Sequence, residues 1–441
     1  MIEPQPNMKL PPGPDEHYTL DINARSLTLI TELVREYGDI VCVHSDERRN
    51  PTYLLNDPEH IKQVLMSNRE NYVKGVGFER VEMLLGHGII VSDGAFWRRQ
   101  RTLIQPGFSR ANIARLAGGI KSCTLRLRDQ WQQLAAGTSV DVTTAMSEYA
   151  LEVILRAIFS EDLDRIIAAQ GHNPFAFLTE DLNRDLKVAF RFRQLRQVML
   201  GCIRERREFS RRPFDFLSLM MDARDKRSGE GMSDEELLDE LATLIIAGHE
   251  TSAGTLNFAW YLLAMNPAQR DRALAEVLRV TPDDDFDFDA LMSLQYLPQV
   301  LRETLRLYPP VWLFSRRAVA ADRIGDFDVA PGTHIFLAPF VVHRHPGLWP
   351  DPERFDPDRF GAEASAQRHP CAFIPFSVGA RRCIGEYFSF VEMQTHLAVM
   401  MKCFQLSYSE SGILELDPAV NLRSLHKLEM VLTPRAAPER L

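Results

Sequence analysis

Residues 232–267, MSDEELLDELATLIIAGHETSAGTLNFAWYLLAMNP, constrain the fold more than any other part of the chain. Ser233 and Glu236 have the S-x-x-E spacing of a capping box, and Asn266-Pro267 supplies a stop, so one long helix is predicted between them. At about 1.5 Å per residue it is about 50 Å long, enough to cross a whole domain as its central beam. Inside this apolar segment stand Gly248, His249, Thr251 and Ser252, which weaken a helix, and the charged Glu250. A local rule broken within an otherwise consistent element marks a functional position.

The remaining periodicity is also mostly helical. Apolar residues recur at i, i+3, i+4 over residues 24–38, 57–67, 111–134, 143–159 and 297–308, the last ended by Pro309-Pro310. Residues 39–43, 51–55 and 334–342 read as strands, and the arginine-rich stretch 183–212 as a mobile pair of surface helices. No repeat or compositional break divides the chain. One domain is expected over 1–441, with 1–12 a flexible tail.

Charge and cysteine usage narrow the classes. The net charge of -9 comes with 51 basic residues spread along the whole sequence, without the basic stripe that nucleic acid requires. Six scattered cysteines make no disulfide scaffold and stand at no zinc-ligand spacing, which points to a reducing compartment. No apolar run is long enough for a signal peptide or a membrane span. A cytoplasmic monomer without a transmembrane anchor is the expectation.

Chemistry concentrates in FSVGARRCIG, residues 376–385. This glycine-bearing loop presents Cys383 just before a predicted helix, whose unpaired N–H groups lower a cysteine's pKa and favour its thiolate. Such a cysteine can be a nucleophile, a metal ligand or a structural thiol. His249-Glu250 raises the zinc-peptidase pattern H-E-x-x-H, but position 253 is alanine, so His249 reads as a packed side chain.

The pattern Phe376-x-x-Gly379-x-Arg381-x-Cys383-x-Gly385 resembles the haem-binding loop of the cytochrome P-450 monooxygenases at all its fixed positions. Three further motifs follow that family's order. Ala247-Gly248-His249-Glu250-Thr251-Ser252 matches its central-helix motif, Trp97-x-x-x-Arg101 its W-x-x-x-R pair, and Glu303-x-x-Arg306 its E-x-x-R pair. The arginine of PERF, Arg354, is taken to complete a structural Glu303-Arg306-Arg354 triad. The likeness spans roughly residues 10–434, with one departure at Ser389, where alanine is commoner.

The resemblance implies a mainly α fold with small β-sheets and the long helix lying over haem b, whose iron Cys383 ligates as a thiolate. It assigns Trp97, Arg101, Ala247, Gly248, Arg316, Phe376, Arg381 and Gly385 to haem binding; Arg317, beside Arg316, is an alternative for a propionate. Thr251 and Glu250 become the catalytic pair, which handles bound dioxygen and relays protons. Gly248 lets the helix open. The implied reaction inserts one oxygen atom from O₂ into a lipophilic small molecule, such as a terpenoid, steroid or fatty acyl compound of secondary metabolism. Electrons come from a separate ferredoxin or flavodoxin with its NAD(P)H reductase, docking on a basic cluster of Arg98, Arg99, Arg110 and Arg382 or elsewhere if these are ordinary solvated arginines. The chain after Cys383 is too short for a fused flavin domain. The competing readings are an H₂O₂-dependent peroxygenase and a non-catalytic haem-binding sensor. Pocket walls are expected in residues 75–89, around Phe175–Phe177, at Thr243–Ala247 and at Val311–Ser315, with Glu79, Arg80 and His87 able to orient a carboxylate or amide.

Overall fold

Ser233 begins the longest element of the computed structural model, the helix Asp234–Met265, and both halves of its capping box form. Glu236 N–H donates to the Ser233 hydroxyl at 3.1 Å, and Ser233 N–H donates to the Glu236 carboxylate at 2.8 Å. Asn266 caps the other end, and Pro267 starts the next helix, where its missing N–H costs nothing. The model describes residues 8–20, 23, 25–180, 186–408 and 414–435, without the side chains of 80, 84 and 186–190. The packing divides into two compact units: residues 1–79, 302–383 and 413–425, and residues 80–301, 384–412 and 426–441.

The first unit holds a five-stranded mixed sheet, ordered Ile40–Val43, Thr52–Leu55, His334–Leu337, Phe314–Ala318, Tyr72–Lys74. Only the pairing of Thr52–Leu55 with His334–Leu337 is parallel. Alternate residues feed different cores: Tyr53, Leu55, Ile335 and Leu337 enter one cluster, while Leu54 and Phe336 enter another. The sheet is therefore buried on both faces, which explains its unbroken apolar strands. The strand expected over 334–342 stops at Leu337, because Pro339 cannot donate to a ladder; Pro339–Val342 forms a helical turn instead. The helix expected over 57–67 begins as Pro58–Lys62 and widens into a π-helical segment, Gln63–Ser67. Of the expected tail, residues 1–7 lie outside the described residues. Lys9 N–H bonds Asp328, and the Pro12 carbonyl accepts from Cys42 N–H at 2.8 Å, so this part is tied to the sheet.

The second unit is helical. Val142–Phe159 packs along the long helix, and Glu386–Cys403 packs on both Arg110–Gln132 and the long helix. A three-stranded antiparallel sheet, in the order Ser139–Asp141, Glu429–Pro434, Phe404–Ser407, completes it. The arginine-rich stretch corrects the sequence reading. Its residues 183–185 lie outside the described residues, and residues 186–208 form one helix, Leu186–Glu208, rather than a surface pair. Arg206 is fully buried and bridges Asp162 and Asp215 at 2.7 Å each, with further bonds to Ser218 and the Phe159 carbonyl. No helix among the described residues is long and apolar enough to cross a membrane.

Candidate active site

Gly379 shapes the cysteine loop of the first unit. It sits at φ +71°, and a Cβ there would lie 2.6 Å from the Leu65 carbonyl oxygen, so only glycine fits. The loop closes through two backbone bonds: Cys383 N–H to Phe376 O at 2.9 Å, and Arg382 N–H to Gly379 O at 3.1 Å. Ser377 takes a left-handed φ of 57° within it. Cys383 is exposed, whereas Cys42, Cys123, Cys202 and Cys371 are buried, and burial pushes the thiols of Cys42 and Cys371 up to about 11. Among the cysteines, Cys383 has the accessibility that an external metal centre needs. Phe376 and Arg381 are half-buried on the same loop.

Arg316 lies in the strand Phe314–Ala318. Strand alternation buries Arg316 and exposes Arg317. Of the other expected pocket walls in this unit, Trp312 is wholly buried and donates to the Ala419 carbonyl at 2.9 Å.

Glu303 and Arg306 form the expected ion pair, both fully buried, with Arg306 Nε 2.7 Å from Glu303 Oε2. The third member needs correction. Arg354 is exposed and contributes only its carbonyl, which accepts from Arg306 at 3.1 Å. Arg359, mostly buried, places its Nε 3.5 Å from Glu303 Oε1 as an ion pair without hydrogen-bond alignment. The P-x-R-F spacing occurs twice, at 352–355 and 357–360. The second copy starts in a short 3-10 turn, Pro357–Phe360, while Asp356 N–H donates to Glu303 at 2.9 Å, and together these turn Arg359 inward.

In the second unit, the middle of the long helix carries a half-buried stripe between buried positions. Ala247, Gly248, Glu250, Thr251 and Gly254 are half-buried, while Ile245, His249, Ser252 and Ala253 are buried. Residues 247, 250, 251 and 254 share a face by helical spacing. The Thr251 hydroxyl donates to Ala247 O at 2.7 Å. The helix runs unbroken through Gly248, contrary to the expected opening; a Cβ there would meet Ile154 at 2.9 Å, so close packing on Val142–Phe159 explains the glycine. His249 is buried with Nε2 2.9 Å from Ser147 Oγ, in keeping with its reading as a packed side chain.

Trp97 and Arg101 share a face of Gly94–Ile104 and are half-buried, with Arg101 also donating to Gln105 at 3.1 Å. Gly385 caps Glu386–Cys403 without a side-chain bond, and Ser389 N–H reaches its carbonyl at 2.9 Å. The expected docking cluster is reduced: Arg99 is committed to Glu236 at 2.7 Å and to the Gly231 carbonyl, and Arg110 pairs with Asp289 at 3.3 Å. Phe175 and Phe177 pack on Phe159 and Phe192, as core rather than lining. The Arg80 side chain lies outside the described residues, and His87 pairs with Glu82 at 2.9 Å.

Sequence patterns did not single out a buried polar set behind this helix. Ser252 donates to Glu392 at 2.7 Å, Trp260 Nε1 donates to His396 Nε2 at 3.0 Å, and Glu240 accepts from Ile89 N–H at 3.1 Å. Burial pushes Glu240 and Glu392 up to about 8, and His249 and His396 down to about 4 and about 3. A carboxyl raised in the fold holds its proton there while the unfolded chain releases it, so stability is lost as pH rises from about 4.5 through 8. The histidines act oppositely, losing stability as pH falls below 6.5. Above pH 6.5 the carboxyls act alone. Denaturant titrations from pH 6.5 to 8 are expected to show stability falling with pH, and Glu392→Gln to remove about 2 kcal/mol of that fall; an unchanged slope in the variant would contradict it.

The donor set fits haem. Among the described residues no group of three His, Cys, Asp or Glu is placed to hold a metal ion, while one exposed cysteine precedes a helix N-terminus on a glycine cradle. A metal that brings its own ring nitrogens needs one such protein ligand.

Comparison with known proteins agrees. The family model described as Cytochrome P450 matches residues 17–430. The chain is 30% identical over 405 residues to cyclooctat-9-en-7-ol 5-monooxygenase of Streptomyces melanosporofaciens, covering 88% of this chain and 87% of the relative. It is 32% identical to cyclooctatin synthase of the same organism, over 82% of each chain. Pentalenene oxygenase of Streptomyces avermitilis is 28% identical, covering 90% of this chain and 91% of that protein. The crystal structure of the cytochrome P450DA heme domain has a TM-score of 0.85 at 25% identity, covering 98% of this chain and 100% of that one.

Proposed function

The chain belongs to the cytochrome P450 family of haem-thiolate monooxygenases, and from that premise we propose that it oxygenates a lipophilic, terpenoid-like small molecule, with Cys383 as the thiolate ligand. When bound, the haem supplies the activation of O₂ and the transfer of one oxygen atom to carbon. The observation that carries the reading is the half-buried stripe in the middle of the long helix, which offers an acid and an alcohol, Glu250 and Thr251, on one face beside the small Ala247. The relatives named for cyclooctat-9-en-7-ol and pentalenene support a largely hydrocarbon substrate.

Each residue of the stripe has a distinct task. Ala247 presents little side chain, so a flat or bulky group can approach the helix backbone there, while the space at Gly248 is filled by Ile154. The Thr251 hydroxyl, which donates to the Ala247 carbonyl at 2.7 Å, keeps its lone pairs for an incoming donor and would hold or hand on a proton at this face. Glu250 passes protons inward from solvent. Trp97, Arg101, Arg316 and Arg381 would hold the propionates of a bound haem, and Arg316 is buried, where its charge is little screened. Phe376 and Gly385 flank the ligand loop. Electrons come from a ferredoxin or flavodoxin with its NAD(P)H reductase in the cytoplasm.

Reconstitution with such a reductase chain, O₂ and a terpenoid panel tests the reading, with H₂O₂ alone as the comparison; product from peroxide but not from NAD(P)H would replace it with a peroxygenase. Thr251→Ala is expected to keep substrate binding and NAD(P)H consumption but lower product per NAD(P)H by about tenfold or more, the scale of a lost proton-handling group. Product yield per NAD(P)H equal to that of the wild type would remove Thr251 from the mechanism.

A further inference from the structure

The π-helical segment Gln63–Ser67 touches the cysteine loop from outside the family motifs. Wide turns of this kind are rare and cluster at functional sites. Here the Leu65 carbonyl presses on Gly379, the residue whose conformation starts the turn that ends at Cys383. Val64 and Leu65 also share a core cluster with Tyr72 and Ile374, against which Val378 of the loop packs. The position of this segment is therefore transmitted to the loop by direct contact.

One carboxylate oxygen fastens the segment at both ends. Asp322 Oδ2 accepts from Gln63 Nε2 at 3.3 Å, from Asn68 Nδ2 at 2.9 Å and from the Tyr72 hydroxyl at 2.5 Å. Gln63 and Asn68 bracket the widened turn and are joined by the Asn68 N–H to Gln63 O bond at 2.8 Å. Tyr72 belongs to the sheet and is buried. Gln63 Nε2 also reaches the Arg323 carbonyl at 2.6 Å, so the Asp322–Ile324 strand holds the segment twice. All three side-chain donors to Asp322 are neutral, and only a side chain with several acceptor lone pairs can serve them together.

We propose that Asp322 is a positioning residue for the thiolate: by pinning the π-helical segment it keeps the Leu65 carbonyl against Gly379 and so fixes the loop that presents Cys383. The proposal rests on the assignment of Cys383 above. Without the carboxylate, Gln63 and Asn68 lose their common acceptor, and the wide turn relaxes toward ordinary α-helical pairing. The Leu65 carbonyl then leaves Gly379, and the loop samples geometries in which the sulfur is held less firmly as a thiolate.

The test compares the holoprotein with Asp322→Ala, Asp322→Asn, Asn68→Ala and, as a control on the same strand pair, Asp326→Ala. The expected result for Asp322→Ala is loss of the larger part of the thiolate-type red-shifted band of the reduced carbon monoxide complex, with haem content retained. Faster hydrogen exchange at Asn68 N–H should accompany it. Asp322→Asn keeps a carbonyl acceptor and should restore most of the band; Asn68→Ala should weaken it, and Asp326→Ala should leave it unchanged. A merely structural role would lower the unfolding midpoint without changing the band at equal haem content. A wild-type band and wild-type exchange in Asp322→Ala would overturn the proposal. Should that variant fail to fold, a wild-type band in Asn68→Ala would overturn it instead. Absence of the thiolate-type band from the wild type would count against the Cys383 assignment itself, a result separable from failure of the Asp322 link.

Discussion

Cys383→Ser is expected to give a folded chain that has lost the thiolate-type carbon monoxide band and all measurable oxygenation. The side chain is exposed and serine is nearly its size, so the exchange opens no cavity in the core. The loop bonds that shape the site, Cys383 N–H to Phe376 O and Arg382 N–H to Gly379 O, are backbone bonds and survive the exchange. What disappears is the sulfur itself. Loss of an outer-shell partner of a metal site costs about 10- to 100-fold, and loss of the sole protein ligand should exceed that range. No other cysteine can substitute: burial pushes Cys371 up to about 11, and Cys403 is also raised, chiefly by burial. Cys371→Ser and Cys403→Ser should therefore keep the band. The measurement is the reduced carbon monoxide spectrum beside haem content and product formation. A thiolate-type band persisting in Cys383→Ser would move the ligand elsewhere.

The helical scaffold was legible in the sequence because its signals are local. The capping box at Ser233 and Glu236 and the stop at Asn266-Pro267 are decided within a few residues, and the helix follows them to within one residue. The family itself was legible from Cys383 and the motifs around it, which the match over residues 17–430 supports. The errors arose where partners are distant in sequence or where a pattern repeats. Arg206 reads as one arginine among many, because nothing local announces Asp162, 44 residues away, or Asp215 as its buried partners. Arg354 and Arg359 sit in identical P-x-R-F spacings, and only the course of the backbone around Asp356 decides which side chain reaches Glu303. Gly248 illustrates the reverse ambiguity. A glycine in a helix can permit a break or a close neighbour, and here Ile154 occupies the space.

The second large effect is expected at Arg306, where every guanidinium nitrogen is used. Nε and Nη2 donate to Glu303 at 2.7 and 2.8 Å, Nη1 to the carbonyls of His343 and Pro352 at 2.9 and 2.6 Å, and Nη2 to that of Arg354 at 3.1 Å. One side chain thus gathers three backbone carbonyls from residues 343–354 onto the helix that carries Glu303. His343 extends the connection, since its Nε2 accepts from Ile374 N–H at 2.9 Å, two residues before Phe376. Burial holds His343 well below its ordinary value, so the ring remains neutral and able to accept. Removing one partner of a buried pair costs about 3–5 kcal/mol, and the stranded carbonyls add to it, against a total stability of about 5–15 kcal/mol. Arg306→Ala should therefore leave little folded protein. Arg306→Lys keeps the charge but lacks the planar fork, so it should lose about 3 kcal/mol in denaturant unfolding and retain haem poorly. Arg354→Ala, on an exposed side chain whose carbonyl survives, should stay within about 0.5 kcal/mol of the wild type. Arg359→Ala should cost clearly more, because it leaves Glu303 with one cation instead of two. The opposite ranking of these two variants would return Arg354 to the triad, and a wild-type midpoint for Arg306→Lys would show that the fork is dispensable.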